Sequence, residues 1–322
     1  MAEWKYYRID MDLMGRMTQL PDSQKMFGAL VHRFSETYSS VQATQMVDKI
    51  KGGAMPLALS NMLPRGYLPA PHTELIHQLS VDGQGNKKMY QALKRRSYVK
   101  SGQLAELMRE PSRASDLYPY AHIEFTQQIH ASIDSKRYNL PGLDPNLYSV
   151  PEVIVKEVTQ EGKQEQTICE FSLYLAMEEC PEGDLLLKML ELARAEGKTF
   201  ILGPRGSQGL NTFTVTQIQE ESSVTSNQTG YYLNLGMLLP KNIDFDRSSL
   251  KLFTSERRPY NPPGGWDTGN SGKFISFIEA GSIVYAPTGI ECAGHSIQSP
   301  FHPRDIVFGS ALLYPLSERE GD

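Results

Sequence analysis

The sequence predicts an α+β fold of the ferredoxin-like (RRM-like) βαββαβ type with a large insertion, joined to a second, smaller β-rich domain. Three observations carry this expectation. Strand-type alternation at residues 5–13, 171–177 and 213–215 is interleaved with helix-type apolar spacing at 26–34 and 186–193. Ile123 and Phe125 add a short strand, which gives the order strand, helix, insertion, two strands, helix, Gly-rich loop, strand. After about residue 225 the texture changes to short strands with no long amphipathic helix. A chain of 322 residues suits two packed domains. The expected division is 1–222, with an insertion at about 45–120, and 223–322, with the boundary in SSVTSNQTG near 220–230.

Each element has a local reason. From Lys5 to Leu13, Tyr7, Ile9, Met11 and Leu13 fall on one side, with Arg8, Asp10 and Asp12 on the other, as in a half-buried strand. Asp22-Ser23 can cap a helix that buries Met26, Phe27, Leu30, Val31 and Phe34. The stretch 45–120 is rich in Gly and Pro with little periodicity, and VDGQGNKK near its middle reads as a mobile loop. Phe171, Leu173, Leu175 and Met177 mark a longer strand. Asp184 then caps a helix carrying Leu186, Leu187, Met189, Leu190 and Ala193, which Gly197 terminates. ILGPRGSQG leads into a strand with Phe213 and Val215. Further strands are expected at Tyr231–Leu239, Ser249–Phe253, Phe274–Tyr285 and Ile306–Tyr314.

Composition excludes several function classes. A net charge of −5 argues against a protein that coats nucleic acid through its bulk field. The charge is uneven, however: residues 87–100 hold six basic side chains and no acid, so the other 308 residues carry −11. Most such blocks are solvated faces, although the interleaved Tyr90 and Tyr98 could stack on bases. Cys169, Cys180 and Cys292 are odd in number and form no C-x-x-C pair, which argues against a disulfide scaffold or a thiolate zinc site and suits a reducing cytosol. With no signal-type start and no run of 18 apolar residues, a cytoplasmic chain without membrane contact is expected.

Chemical motifs are few. Gly272-Lys273 is followed by Phe274 and lacks the first P-loop glycine, and GPRGSQG precedes a strand where a dinucleotide fingerprint precedes a helix. His122 and Glu124 form H-x-E without the P-C-x-x-C of a zinc deaminase. No nucleophile–histidine grouping can be assembled from spacing, so no catalytic residue, metal or cofactor is expected. The Gly-rich loop is the most informative feature. Gly203, Gly206 and Gly209 permit close backbone approach, Arg205 offers a fork for phosphate, and Ser207 offers a hydroxyl. A plain helix-to-strand turn explains the glycine spacing equally well.

Ordered motifs across about 5–314 resemble the RAMP superfamily of CRISPR-associated proteins, in particular the fourth subunit of Csm (type III-A) effector complexes. They are DSQKMFGALVHRF (22–34), LALSNMLPRGYLPAP (57–71), KKMYQALKRRSYV (87–99), HASIDSKRYNLPGLDPNLYSV (130–150), ILGPRGSQGLNTF (201–213), GKFISFIEAGSIVY (272–285) and the His-Pro of FHPRD before Phe308-Gly309. The Gly loop departs from the family pattern in having Asn211 and Thr212, and GGWDTG (264–269) is similar to the third subunit of the Cmr complex. The resemblance implies two ferredoxin-like domains and a non-catalytic subunit that binds the 5′ tag of CRISPR RNA. It implies contacts with the large Cas subunit, which carries a polymerase-like domain, and with the Csm backbone subunit, target RNA being met only indirectly. One wall of the tag site is expected from Gly203, Arg205, Gly206, Ser207 and Gly209, and the other from Ser23 and Lys25 at a helix start. Arg65, Arg257, Arg258, Lys273 and Arg304 are secondary candidates. The alternative is a metal-independent RNA endonuclease of the same superfamily that processes precursor CRISPR RNA, with His122, His130 or His302 as acid or base.

Overall fold

The alternation at the chain start forms β1 (Trp4–Leu13), and Asp22 caps α1 (Ser23–Thr37) by accepting from the Lys25 amide. A computed structural model describes residues 4–81, 83, 85–132, 146–160, 164–221, 230–257, 273–287, 293–300 and 305–316. After α1 comes α2 (Ser40–Gly52), opened by the Ser39 hydroxyl and closed by Gly53 at φ 76°. Three short strands follow, β2 (Leu57–Leu59), β3 (Leu63–Pro64) and β4 (Tyr67–Pro69). Then come α3 (His72–Val81), α4 (Lys87–Arg95), β5 (Tyr98–Lys100) and α5 (Leu104–Arg109). The long strands β6 (Tyr120–Ser132) and β7 (Asn146–Val158) pair throughout as an antiparallel ribbon, and β8 (Glu165–Thr167) adds to the base of β7. Next are β9 (Glu170–Glu178), α6 (Pro181–Ala195), β10 (Thr199–Ile201) and β11 (Thr212–Glu220). The remainder contributes β12 (Tyr231–Asn234), β13 (Asp244–Ser249), β14 (Leu252–Arg257), β15 (Lys273–Ile278), β16 (Ile283–Tyr285), β17 (Ile297–Gln298), β18 (Ile306–Val307) and β19 (Leu313–Pro315). Among the described residues this last part has no helix, as its texture predicts, and no helix is long and apolar enough to cross a membrane.

The main sheet has the order β10-β11-β1-β9-β2, all antiparallel, with β3 also on β9. A second sheet runs β4-β5-β6-β7-β8. Two expectations are corrected here. Ile123 and Phe125 lie in β6 of the second sheet, and the strand beside β9 is β2, with Leu57 opposite Met177 and Leu59 opposite Leu175. Three residues are too few to show a period of two, so nothing local announces β2. The inserted lobe also has other limits: residues 40–59 serve the main unit, and the second sheet extends to Thr167. The stretch read as having little periodicity contains α3, α4, α5 and most of α2, helices too short to show a clear period; α2 buries only Ala43, Met46 and Ile50. Asp82 and Gln84, within VDGQGNKK, lie outside the described residues.

Two smaller corrections concern polar side chains. Asp10 is 2% exposed and accepts from the Ser172 hydroxyl at 2.6 Å, although alternation placed it in solvent. The cap of α6 is Cys180, whose Sγ accepts from the Gly183 amide, while Asp184 stands inside the first turn. Gly197 does end that helix, with φ 61°.

The two parts of the chain share one core. Leu233, Leu235, Phe308 and Leu312 join the cluster built on β1, β9, α1 and α6. Phe27 stacks on Phe308 with ring centroids 4.4 Å apart, a pairing worth about 1 kcal/mol beyond its buried area. Residues 310–312 run along the outer edge of β2, where the Leu59 amide donates to Ser310 and the Leu312 amide to Leu59.

Candidate functional site

The Gly-rich loop joins β10 to β11 and is held in place by a segment far away in sequence. Arg16 pairs with Leu210, and Met17 pairs in turn with Val153 of β7. Residues 16–17 thereby link the loop to the β6–β7 ribbon. The Asn211 amide donates to the Arg16 carbonyl at 2.8 Å, and the Val153 amide donates to the Met17 carbonyl at 2.7 Å.

Asn211 locks the loop. It is fully buried; its Oδ1 accepts from the Thr18 amide at 2.8 Å, and its Nδ2 donates to the Pro204 carbonyl and the Thr18 hydroxyl. Its φ of 55° lies in the left-handed region, which asparagine tolerates better than most residues. This accounts physically for an asparagine at this position. Gly203 is needed because a Cβ there would lie 2.8 Å from the Asn211 side chain. Gly15 is needed for the same kind of reason, since a Cβ would lie 2.6 Å from the Gly209 carbonyl oxygen.

The lock leaves the apex of the loop in solvent. Arg205 has φ 63° and stands at the start of a 3-10 turn over Gly206–Gln208, which Gly209 closes at φ 75°. Arg205 and Ser207 are exposed. The Arg205 guanidinium lies 5.4 Å from the ring centre of Tyr148 on β7 and meets no carboxylate at ion-pair distance among the described residues. Beneath them is a cavity of about 120 Å³. Arg16, Gln128, Glu152 and Gln208 are its polar lining, and Met17 and Val150 are part of its apolar wall. Glu152 accepts from Gln128 at 3.0 Å and stands 3.6 Å from Arg16.

The five loop residues read from the sequence therefore lie in one loop, with Arg205, Ser207 and Gly209 exposed and Gly203 and Gly206 half-buried against Asn211 and Ile201. Ser23 and Lys25 do not form its facing wall. Ser23 is fully buried, its hydroxyl accepts from the Met237 amide at 3.0 Å, and its amide donates to the Asn61 side chain. Lys25 pairs with Asp22 at 2.5 Å, and that carboxylate already occupies the positive end of α1, where an anion was expected. The facing wall comes instead from residues 16–18 and from Tyr148, Val150 and Glu152. Arg16 is not among the residues read from the sequence, and Asn211 is read there only as a departure from the family pattern, without a role; the visible signal is an arginine next to Gly15 after a strand, and an asparagine after a run of glycines.

The secondary candidates are scattered. Arg65 is ion-paired with Glu170. Arg257 and Lys273 are backbone register partners in the β14–β15 hairpin, with side chains outside the described set, and Arg258 and Arg304 lie outside the described residues. His122 stands 3.6 Å from Glu165; the His130 side chain and His302 lie outside the described residues. The basic window also divides. Arg96 is 2% exposed and lies over the rings of Tyr120 and Tyr118 at 4.2 and 5.5 Å, its burial lowering the guanidinium pKa. Lys100 lies over the Tyr67 ring and pairs with Glu157. Tyr98 is buried, which raises its pKa, and Tyr90 contacts the Ser80 hydroxyl, so neither is a free platform for a base.

No family model and no curated protein sequence matches this chain. Solved structures do. A Csm1–Csm4 cassette in complex with cA4 contains a chain similar over 98% of this chain and 100% of its own length, at 16% identity and a TM-score of 0.56. The cassette in complex with AMPPNP gives 0.53 at the same identity and coverage. A Csm3–Csm4 subcomplex of the type III-A CRISPR–Cas interference complex gives 0.52 at 14% identity, again over 98% of this chain and 100% of that chain. Csm4 is common to all three, and this chain resembles it in fold along its length.

Proposed function

We propose that this chain is a non-catalytic subunit of a type III CRISPR ribonucleoprotein and grips the 5′ tag of the CRISPR RNA. One observation carries the reading: an exposed arginine beside a tyrosine ring, on a loop whose base is locked by a buried asparagine, in a chain with the fold of Csm4. Single-stranded RNA is held by phosphate and 2′-OH contacts and by bases stacked on flat groups. The loop offers a guanidinium with no carboxylate partner among the described residues and a hydroxyl, and Tyr148 offers a ring. The first unit, 1–222, is read as ferredoxin-like, because β11-β1-β9-β2 is the fourth-first-third-second order of a βαββαβ sheet. The second, 223–322, is read as its β-rich companion. By analogy with the Csm1–Csm4 and Csm3–Csm4 assemblies, the partners are a large subunit and a backbone subunit, in the cytoplasm.

The test is Arg205→Ala in a complex co-expressed with its CRISPR RNA. Loss of one charge-assisted contact should weaken binding of tag RNA by roughly 1–3 kcal/mol with no loss of folding stability. Unchanged guide loading and unchanged yield of the complex would overturn the assignment.

A further inference from the structure

We infer that the outward arc of α4 is a second binding surface, for the phosphodiester chain of a nucleic acid. The inference rests on reading this chain as an RNA-associated subunit but uses none of the Gly-loop residues.

A helix advances about 100° and 1.5 Å per residue, so positions seven apart nearly superimpose, about 10 Å apart along the axis. In α4 this sets Lys87 in line with Lys94, and Lys88 in line with Arg95, with Gln91 between the two rows. All five are exposed, while Leu93 on the opposite side is fully buried. The helix is seated firmly. Arg96 at its end donates to the Ala92 and Leu117 carbonyls, and the His72 ring contacts the Leu93 and Arg96 carbonyls.

Three observations say what this arc meets. First, among the described residues none of the four cations has a carboxylate at ion-pair distance, whereas Lys5, Lys25, Lys49, Lys51, Lys156 and Lys251 each have one. Second, Lys87 and Lys88 stand in the first turn, which holds no acid, so they oppose the helix dipole and are not there to stabilise α4. Third, the arc contains no apolar or aromatic side chain. Protein interfaces are depleted in lysine and rely on apolar or aromatic anchors, so an acidic protein is a poorer fit than a polyanion held through released counterions.

The test compares the full chain with a variant carrying Lys87→Gln, Lys88→Gln, Lys94→Gln and Arg95→Gln. The probes are a 30-nucleotide uridylate RNA and the matching thymidylate DNA, titrated at several salt concentrations. Each phosphate contact on a single strand contributes about 0.7 to the slope of log affinity against log salt. The variant should lose about 3 from that slope and bind roughly tenfold or more weakly at low salt. Gln91→Lys, which adds a charge to the centre of the arc, should steepen the slope by about 0.7 and guards against a variant that has merely misfolded. Equal losses on both probes support recognition of the shared phosphodiester chain, and a loss on RNA alone assigns RNA as its source. An unchanged slope in both variants overturns the inference, as does a four-site variant that loses only a polypeptide partner. If Arg205→Ala still impairs tag binding in that case, the Gly-loop reading stands alone. If the α4 variants change the slope while Arg205→Ala leaves guide loading and complex yield unchanged, the Gly-loop reading falls and this one stands.

Discussion

The Gly loop and α4 present charge in opposite ways. The loop exposes one arginine with no carboxylate partner among the described residues, yet its backbone is tightly fixed: two non-glycine residues in left-handed conformation, a buried asparagine, and backbone approaches that exclude a Cβ. Helix α4 exposes four cations, yet asks of its backbone only an ordinary amphipathic helix capped by Asn86. Fixed geometry suits recognition of a short, particular segment, and charge density alone suits any phosphate chain.

The sharpest way to break this contrast is Asn211→Ala. It leaves the buried Thr18 amide without its acceptor and an alanine at φ 55°, so stability should fall by about 3 kcal/mol. Urea denaturation reads the change, and a loss under 1 kcal/mol would mean that the loop is not locked as described. Gly15→Ala comes next. Its Cβ would press on the Gly209 carbonyl, a backbone atom, and the overpacking should cost about 2 kcal/mol while exposing the 203–211 amides to hydrogen exchange.

Acid should act on the other region. Burial holds the His72 imidazole below its ordinary value of 6.5, against the Leu93 and Arg96 carbonyls, which raise it; Lys251 acts with burial and Glu279 against it. A depressed base contributes stability that is complete above pH 6.5 and lost as pH falls below it. Hydrogen exchange should therefore show the seat of α4 loosening as pH falls from 7.5 to 5.5, with 203–211 unchanged. His72→Gln should abolish that difference. The smallest effect expected is a gain: Lys87→Glu with Lys88→Glu removes two charges that oppose the helix dipole, so the lobe should be more stable by a few tenths of a kcal/mol while nucleic-acid binding drops. A thermal melt with a parallel binding titration separates the two.

Much of the main unit was legible in the sequence. β1, α1, β9, α6 and β11 each carry a period long enough to read; the Asp22 cap and the Gly197 stop agree with it, while the cap of α6 is Cys180 and not Asp184. The strand β2 was not legible, because three residues carry no period, and its place in the sheet comes from register with β9. The Gly loop was legible as a loop carrying an arginine suited to phosphate. Its facing wall was not: Tyr148 and Arg16 reach it only because Met17 bridges to Val153, a contact between residues 136 positions apart. Ser23 misled for a related reason. A serine at a helix start looks available to an anion, but here another part of the chain lies over it.

By itself, the sequence determined which segments repeat at helix or strand spacing, where the glycines permit unusual backbone, and that six cations lie in one acid-free window. These are local properties, set by φ/ψ preference and side-chain type. Only the tertiary structure decided which of those cations face water. Arg96 and Lys100 were claimed by tyrosine rings, and the four on the outer side of α4 were left in solvent. The physical reason is that burial belongs to pairs of surfaces, and the second surface is folded from a distant part of the chain.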